Sequence, residues 1–168
     1  FPAGRNEFFW VSGQSGRQHI EVYSYEGKKV RTLTQGDWDV TSLQAFDAVN
    51  NRILYTSTEA SPLERHVFAV SVDGKTKTRL TTEPGVHRVN VAPQGTYFID
   101  SYSSLEQPRK VVLRQAKGQI VHTFEENTAV GEYIQKIPFA RRNLQNVVSR
   151  DGQSLDIYVV KPVNFDPN

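Results

Sequence analysis

Three glycines, Gly27, Gly74 and Gly118, each close a nine-residue segment that reads as a strand and a turn, and they fall 47 and 44 residues apart. The segments are His19-Ile20-Glu21-Val22-Tyr23-Ser24-Tyr25-Glu26-Gly27, His66-Val67-Phe68-Ala69-Val70-Ser71-Val72-Asp73-Gly74 and Lys110-Val111-Val112-Leu113-Arg114-Gln115-Ala116-Lys117-Gly118. A β-type run follows each: Val30 to Thr34, Thr78 to Thr82, and Gln119 to Phe124. Leu33-Thr34 returns as Leu80-Thr81. Ahead of the segments, Phe8-Phe9-Trp10-Val11-Ser12 aligns with Ile53-Leu54-Tyr55-Thr56-Ser57 and with Tyr97-Phe98-Ile99-Asp100-Ser101. Further strands, Leu43 to Asp47 and Arg88 to Ala92, precede the last two. Asn50-Asn51 and Gln94-Gly95 supply their tight connections, because such residues accept positive φ.

Each unit is therefore four short strands rich in Val, Ile, Tyr, Phe and Thr, separated by turn residues. A four-stranded unit every ~40–50 residues is the period of a β-propeller blade. Blades bury their faces only against neighbouring blades, and the sequence supplies two complete ones plus a first that lacks its opening strand. The expected fold is all-β: a partial β-propeller of about two to three four-stranded antiparallel blades over residues 1–125. A β-sandwich with the same strand count is the alternative, although sandwiches rarely carry a matched repeat.

After Phe124 the pattern changes. Ala129, Val130, Tyr133, Ile134 and Ile137 recur at helical spacing within Glu125 to Ile137, with Asn127 or Thr128 as a cap and Pro138 as the stop. Gly131 weakens that helix. A hairpin follows, Leu144 to Ser149 and Leu155 to Lys161 around Asp151-Gly152. The tail from Lys161 to Asn168 is extended and Pro-punctuated. Residues 126–168 thus read as an exit from the repeats and not as a further repeat.

Composition narrows the function classes. Twenty Lys and Arg against 18 Asp and Glu leave a formal charge of +2, too little to point to nucleic acid as a partner. No cysteine is present, which removes disulfides, thiolate metal sites and cysteine nucleophiles. No apolar run approaches the ~20 residues of a membrane span, and the N-terminus lacks a signal-peptide pattern. With no Met anywhere, a chain opening on Phe1 reads as a trimmed or expressed segment of a longer parent.

Candidate chemistry is sparse. Ser15 in Gly13-Gln14-Ser15-Gly16 lacks the flanking glycines of a nucleophile elbow. His19 and His66 hold the same place in successive repeats, which suggests an architectural hydrogen-bonding role; His87 begins a strand and His122 sits in an edge strand. No spacing supports a metal site. Glu125-Glu126 could recognise an amine, against a solvated helix start favoured by the helix dipole. Trp38, within Asp37-Trp38-Asp39, is expected to pack at a blade junction. Asp100, inside an apolar strand, needs buried donors and is expected to be a hydrogen-bond hub. The loop Thr58 to Arg65 is the best local candidate for a contact surface.

Four strings in combination then resemble one family: Gly36-Asp37-Trp38-Asp39-Val40, Ser57-Thr58-Glu59-Ala60-Ser61-Pro62-Leu63-Glu64-Arg65-His66, Asp100-Ser101-Tyr102-Ser103-Ser104-Leu105, and Lys161-Pro162-Val163-Asn164-Phe165-Asp166. Together, and in this order, they look like the bacterial dipeptidyl peptidase IV group of the prolyl oligopeptidase family of serine peptidases. The resemblance implies the last blades of an eight-bladed propeller, with the helix and hairpin crossing toward an α/β-hydrolase domain. The family's nucleophile, its Asp and its His lie beyond Asn168, and the glutamate pair that holds the substrate's amino end lies upstream. Glu125-Glu126 does not match that pair's context. No catalytic, cofactor-binding or metal residue carries over to this chain, and its substrate-binding residues are unassigned.

By the same resemblance the parent removes N-terminal dipeptides after Pro or Ala, through an acyl-enzyme and without a cofactor. The implied partners are the remaining blades, the hydrolase domain and, through the parent, a peptide substrate. A periplasmic or cell-envelope location is implied as well. Unpaired blade faces predict self-association of the isolated chain. The competing reading is a stand-alone propeller scaffold that binds proteins or peptides. A carbohydrate-binding β domain has only the aromatic content behind it.

Overall fold

A computed structural model describes residues 5–138, 140 and 142–166. Pro167 and Asn168, the end of the expected extended tail, lie outside the described residues. The chain divides into two compact units, one ending at Glu126 and the next beginning at Asn127.

The first unit is three antiparallel sheets in chain order. Strands β1 (Glu7–Ser12), β2 (His19–Ser24) and β3 (Lys29–Thr32) form the first sheet, in the order β1-β2-β3. The second is β4 (Val40–Asp47), β5 (Arg52–Ser57), β6 (His66–Ser71) and β7 (Lys77–Arg79), paired as a simple meander. The third is β8 (Val86–Val91), β9 (Tyr97–Ser103), β10 (Lys110–Gln115) and β11 (Ile120–Glu125), again a meander. The repeat is thus expressed as successive sheets, and among the described residues the first holds three strands where the others hold four. The repeat glycines do one job in all three: the N–H groups of Gly27, Gly74 and Gly118 close turns onto Ser24, Ser71 and Gln115 carbonyls at 2.9, 2.8 and 2.8 Å. Each adopts φ of 75 to 91°, which a side chain would resist.

Two apolar seams join the sheets. Ile20, Val22 and Leu33 of the first sheet side pack against Val40, Ile53, Tyr55, Phe68 and Val70, with Phe9 and Trp38 at the margin. On the opposite face of the second sheet, Leu54, Val67, Ala69 and Leu80 meet Phe98, Val89 and Val91 of the third. The second sheet is covered on both faces, which is why β5 and β6 are buried almost end to end and show no polar alternation. Strand β1 is covered on one face only, and Trp10, turned the other way, is 59% exposed.

One part of the repeat alignment is corrected by the strand register. His66 faces Ser57, but Lys110, its equivalent by the glycine spacing, faces Tyr102 and not Ser101. Counted between the paired residues, the connection from Tyr102 to Lys110 is one residue shorter than that from Ser57 to His66, so β9 slides by one. Because strand side chains alternate, that slip decides which face each residue takes. Phe98 therefore occupies the place of Ile53, Ile99 that of Leu54, and Asp100 that of Tyr55.

The second unit holds α1 (Thr128–Lys136) and the hairpin β12 (Arg142–Val148) with β13 (Ser154–Val160). The helix starts at Thr128, where the expected Asn127 cap puts it, and Glu125 and Glu126 precede it. Asn127 does stand at the N-cap position, but in a left-handed conformation (φ 52°) and without a side-chain capping bond. Its carbonyl accepts the Gly131 N–H at 3.0 Å. The Asp151-Gly152 turn forms as expected, with the Gly152 N–H on the Ser149 carbonyl at 3.0 Å. Among the described residues no helix is long and apolar enough to cross a membrane.

Candidate functional site

The repeated Leu-Thr pair and the repeated histidine turn out to be one device. Leu33 N–H bonds the Ile20 carbonyl at 2.8 Å, which places the Thr34 hydroxyl where it accepts the Ile20 N–H at 2.9 Å. The same hydroxyl lies 3.3 Å from His19 Nδ1, and His19 Nε2 lies 3.0 Å from the Gly36 carbonyl. The second repeat copies it: Leu80 N–H to Val67 carbonyl at 2.8 Å, Val67 N–H to Thr81 Oγ1 at 2.9 Å, and Thr81 Oγ1 to His66 Nδ1 at 3.2 Å. Both histidines are buried, with each ring nitrogen engaged, so neither offers a lone pair to a metal or a substrate proton. Their expected architectural role is what the structure shows.

Asp100 is the hub that its setting in an apolar strand demanded. It is fully buried, receives His87 Nδ1 at 2.9 Å and receives Arg114 Nε at 2.9 Å. Arg114 spends its other donors on the Gly118 carbonyl at 2.9 Å and the Glu83 carboxylate at 2.7 Å. His87 Nε2 donates to the Glu83 carbonyl at 2.8 Å. The sequence marks Asp100 as a buried hub but does not single out Arg114, Glu83 or Glu64 as its surroundings. The signal was available: Asp100 and Arg114 are opposite charges embedded in neighbouring apolar strands, and each needs the other to be buried.

This network reaches across the seam to the second sheet. The His66 and His87 rings lie 4.9 Å apart between centroids. Glu64 accepts His66 Nε2–H and the Gly85 N–H, each at 2.9 Å. Burial alone would raise the Glu64 pKa, but the bonds from His66 and Gly85 outweigh it and hold the carboxylate below its ordinary value. Glu64 closes the loop Thr58 to Arg65, so that loop is pinned at its far end. Its Arg65 N–H reaches the Gly85 carbonyl at 3.2 Å, and the Arg65 carbonyl takes the His87 N–H at 3.0 Å.

Trp38 packs at the first seam, as expected: edge-on to His19 at 4.9 Å and stacked on Tyr55 at 6.5 Å. Its indole fills the space over Gly36, where an added Cβ would come within 2.3 Å of Nε1. Lys77 lies over its outer face at 5.2 Å while paired with Glu59. The Asp39 carboxylate takes the Gln18 N–H at 2.7 Å, and Arg17 bridges Asp37 and Asp39. At the centre of this seam the Tyr55 hydroxyl is buried without a protein partner, and burial raises its pKa.

The remaining candidates stay apart. Ser15 sits in an exposed turn, its hydroxyl donating to the Arg17 carbonyl at 3.1 Å. His122 lies on β11 against Phe124, with ring centroids 4.8 Å apart. Glu125 ends β11 and Glu126 pairs with Lys110 at 2.8 Å, so the acidic pair precedes the helix and no acidic residue stands in its first turn. Among the described residues no group of three or more metal-ligating side chains could hold an ion.

Repeated four-stranded meanders packed face to face define the class: a partial β-propeller. The comparisons with known proteins give the family. Residues 1–109 match the dipeptidyl peptidase IV N-terminal region, and the chain belongs to that family. Its curated relatives include dipeptidyl peptidase 4 of Arthroderma otae, 28% identical over 98% of this chain, and that of Trichophyton rubrum, 27% identical over 98%. The chain spans about a fifth of either, 22% in each case. The crystal structure of Porphyromonas gingivalis dipeptidyl peptidase 4 superposes with a TM-score of 0.91 at 33% identity, covering 99% of this chain and 24% of that one. A Bacteroides ovatus structure, 20% identical with a TM-score of 0.78 over 96% of this chain and 26% of its own, bears on the fold alone.

Proposed function

We propose that this chain is a non-catalytic propeller segment of a serine dipeptidyl aminopeptidase, framing and gating the cavity through which a peptide reaches an active site carried elsewhere in the protein. The observation that carries the reading is the state of the two outer faces. Trp10 is 59% exposed where its equivalent Tyr55 is fully buried, and Ile99 is 42% exposed where its equivalent Leu54 is fully buried. Both end sheets present faces of the kind that the inner seams bury, so the stack is of a kind that continues on both sides. The 22% share of the curated relatives' length agrees with that.

The parent's reaction is release of N-terminal dipeptides after Pro or Ala by acyl transfer, with the serine, its base and its carboxylate outside these 168 residues. The second unit, in this reading, leads toward the hydrolase domain. Location in the periplasm or cell envelope belongs to the same proposal and is checked by cell fractionation.

The test is to assay a Gly-Pro chromogenic substrate with the 168-residue chain and with the product of the reading frame extended downstream. The extended product turns substrate over in a serine-inhibitor-sensitive way and accepts short peptides while sparing folded proteins; the short chain is inactive. A reading frame that ends near Asn168 favours a stand-alone scaffold and overturns the proposal.

A further inference from the structure

The seam between the second and third sheets differs from the first in one respect that the peptidase reading does not use. It brings together two buried histidine rings, one from each sheet and tilted 41° to each other, among several charged groups. His66 comes from β6 and His87 from β8, with their ring centroids 4.9 Å apart. The corresponding position of the first seam carries Trp38 against His19.

We propose that this histidine pair makes the second seam acid-sensitive: uptake of a proton by His66 loosens the contact between the second and third sheets and frees the Thr58–Arg65 loop. The bonding around His66 supports it. As the Nε2–H tautomer, His66 donates to Glu64 and accepts the Thr81 hydroxyl at Nδ1. A second ring proton must sit on Nδ1. There the Thr81 oxygen already takes the Val67 N–H, and the Arg79 guanidinium lies over the ring edge, 3.2 Å from Nδ1 and 2.8 Å from Nε2.

The new charge is added in a dry site, beside Arg79 and the His87 ring, and like charges in low dielectric repel strongly. Among the described residues, Glu64 is the single carboxylate bonded to His66. On the other side, Asp100 is bonded to His87 and Arg114, Glu83 is engaged by Arg114, and Tyr102 stacks on His87 at 4.7 Å. The seam's acidic groups are thus already bonded to partners. Burial lowers the His66 pKa, Arg79 and His87 lower it further, and Glu64 opposes them without prevailing.

Loosening has a defined readout. Three bonds from backbone N–H groups tie the loop to the third sheet or its lead-in: Gly85 N–H to the Glu64 carboxylate, Arg65 N–H to the Gly85 carbonyl, and His87 N–H to the Arg65 carbonyl. Hydrogen exchange of the 168-residue chain, expressed as protection factors to remove intrinsic pH effects, is followed from about pH 7.5 to about pH 5. Protection at Gly85 and His87 is expected to fall as the pH drops below the ordinary histidine value, by at most about tenfold per pH unit. Protection at Ile20 and Leu33 of the first seam stays level. In His66→Gln, which keeps a donor for Glu64 and an acceptor for Thr81 but cannot take up a proton, the fall disappears.

Unchanged protection in the natural chain, or an equal fall in His66→Gln, overturns the proposal. If the variant does not fold, the ring resonances of His66 are titrated in the natural chain. A His66 proton uptake that leaves the Gly85 and His87 amides unmoved, or no uptake in this range, overturns it as well.

Discussion

The smallest unit of organisation in this chain is a hydroxyl. Thr34 and Thr81 each accept a backbone N–H and contact a buried histidine, so each satisfies two buried groups of the preceding strand. Replacing Thr81 by Val keeps the shape and removes both bonds. The expected cost is about 1–3 kcal/mol, read as a lowered urea midpoint with an unchanged slope. A second residue-scale prediction concerns acid. Burial pushes the Asp47 pKa up, but bonds from Asn50 and Arg52 outweigh it and hold the carboxyl below its ordinary 3.8. The folded state therefore binds this proton less readily than the unfolded chain. Stability from this group is present above pH 3.8 and drains away as the pH falls toward the folded value. Denaturation midpoints of the natural chain should drop through that window, and those of Asp47→Asn should drop less. The histidine and aspartate roles were legible because buried polar residues in apolar strands must find partners. The identity of the partners was not, because Glu64 and Glu83 lie in loops with nothing local to mark them.

At the scale of the element, turn glycines carry two separate demands. Gly27 and Gly118 have nearly the same backbone, φ 80° and 91°. A Cβ on Gly27 meets nothing within 4 Å, whereas one on Gly118 would lie 2.1 Å from the Leu80 carbonyl oxygen of the second sheet. Gly27→Ala should cost only the left-handed strain of a residue with a side chain, about 1–2 kcal/mol. Gly118→Ala carries that strain and also forces the third sheet off the second, so its loss should be clearly larger in parallel thermal melts. Equal losses would mean that the sheet contact is soft. Strand positions and hairpins were readable from period-two patterning and turn residues. The register of β9 was not, because a loop shortened by one residue leaves the pattern intact while reversing its faces. The helix cap at Asn127 was readable, but Glu125-Glu126 do not open the helix: β11 runs through Glu125, and strand pairing overrides the dipole preference that would have put acidic residues in the first turn.

For the molecule as a whole, the two outer faces set the behaviour in solution. Trp10 and Ile99 are exposed large side chains on opposite ends of a stack whose inner equivalents are buried. The isolated chain is expected to associate at tens of micromolar in sedimentation, end sheet to end sheet, since each face matches one half of a seam already made. Trp10→Arg or Ile99→Arg each spoils one half and should shift the chain toward monomer. A wild-type chain that sediments as a clean monomer contradicts this. In a longer parent those same faces are the ones further blades would cover.

Spacing of the glycines, the doubled Leu-Thr pair and the alternation of apolar residues were enough to establish strands, turns and a blade-like period, because each depends on contacts within about one hairpin. They also marked Asp100 as a residue in need of buried donors. Three-dimensional packing settled the matters that depend on distant chain segments: that Arg114, His87 and Asp100 share one network, that Gly118 lies on Leu80, and that β9 slips by one. Those choices rest on which sheet faces which, and side chains far apart along the chain meet only once the sheets have stacked.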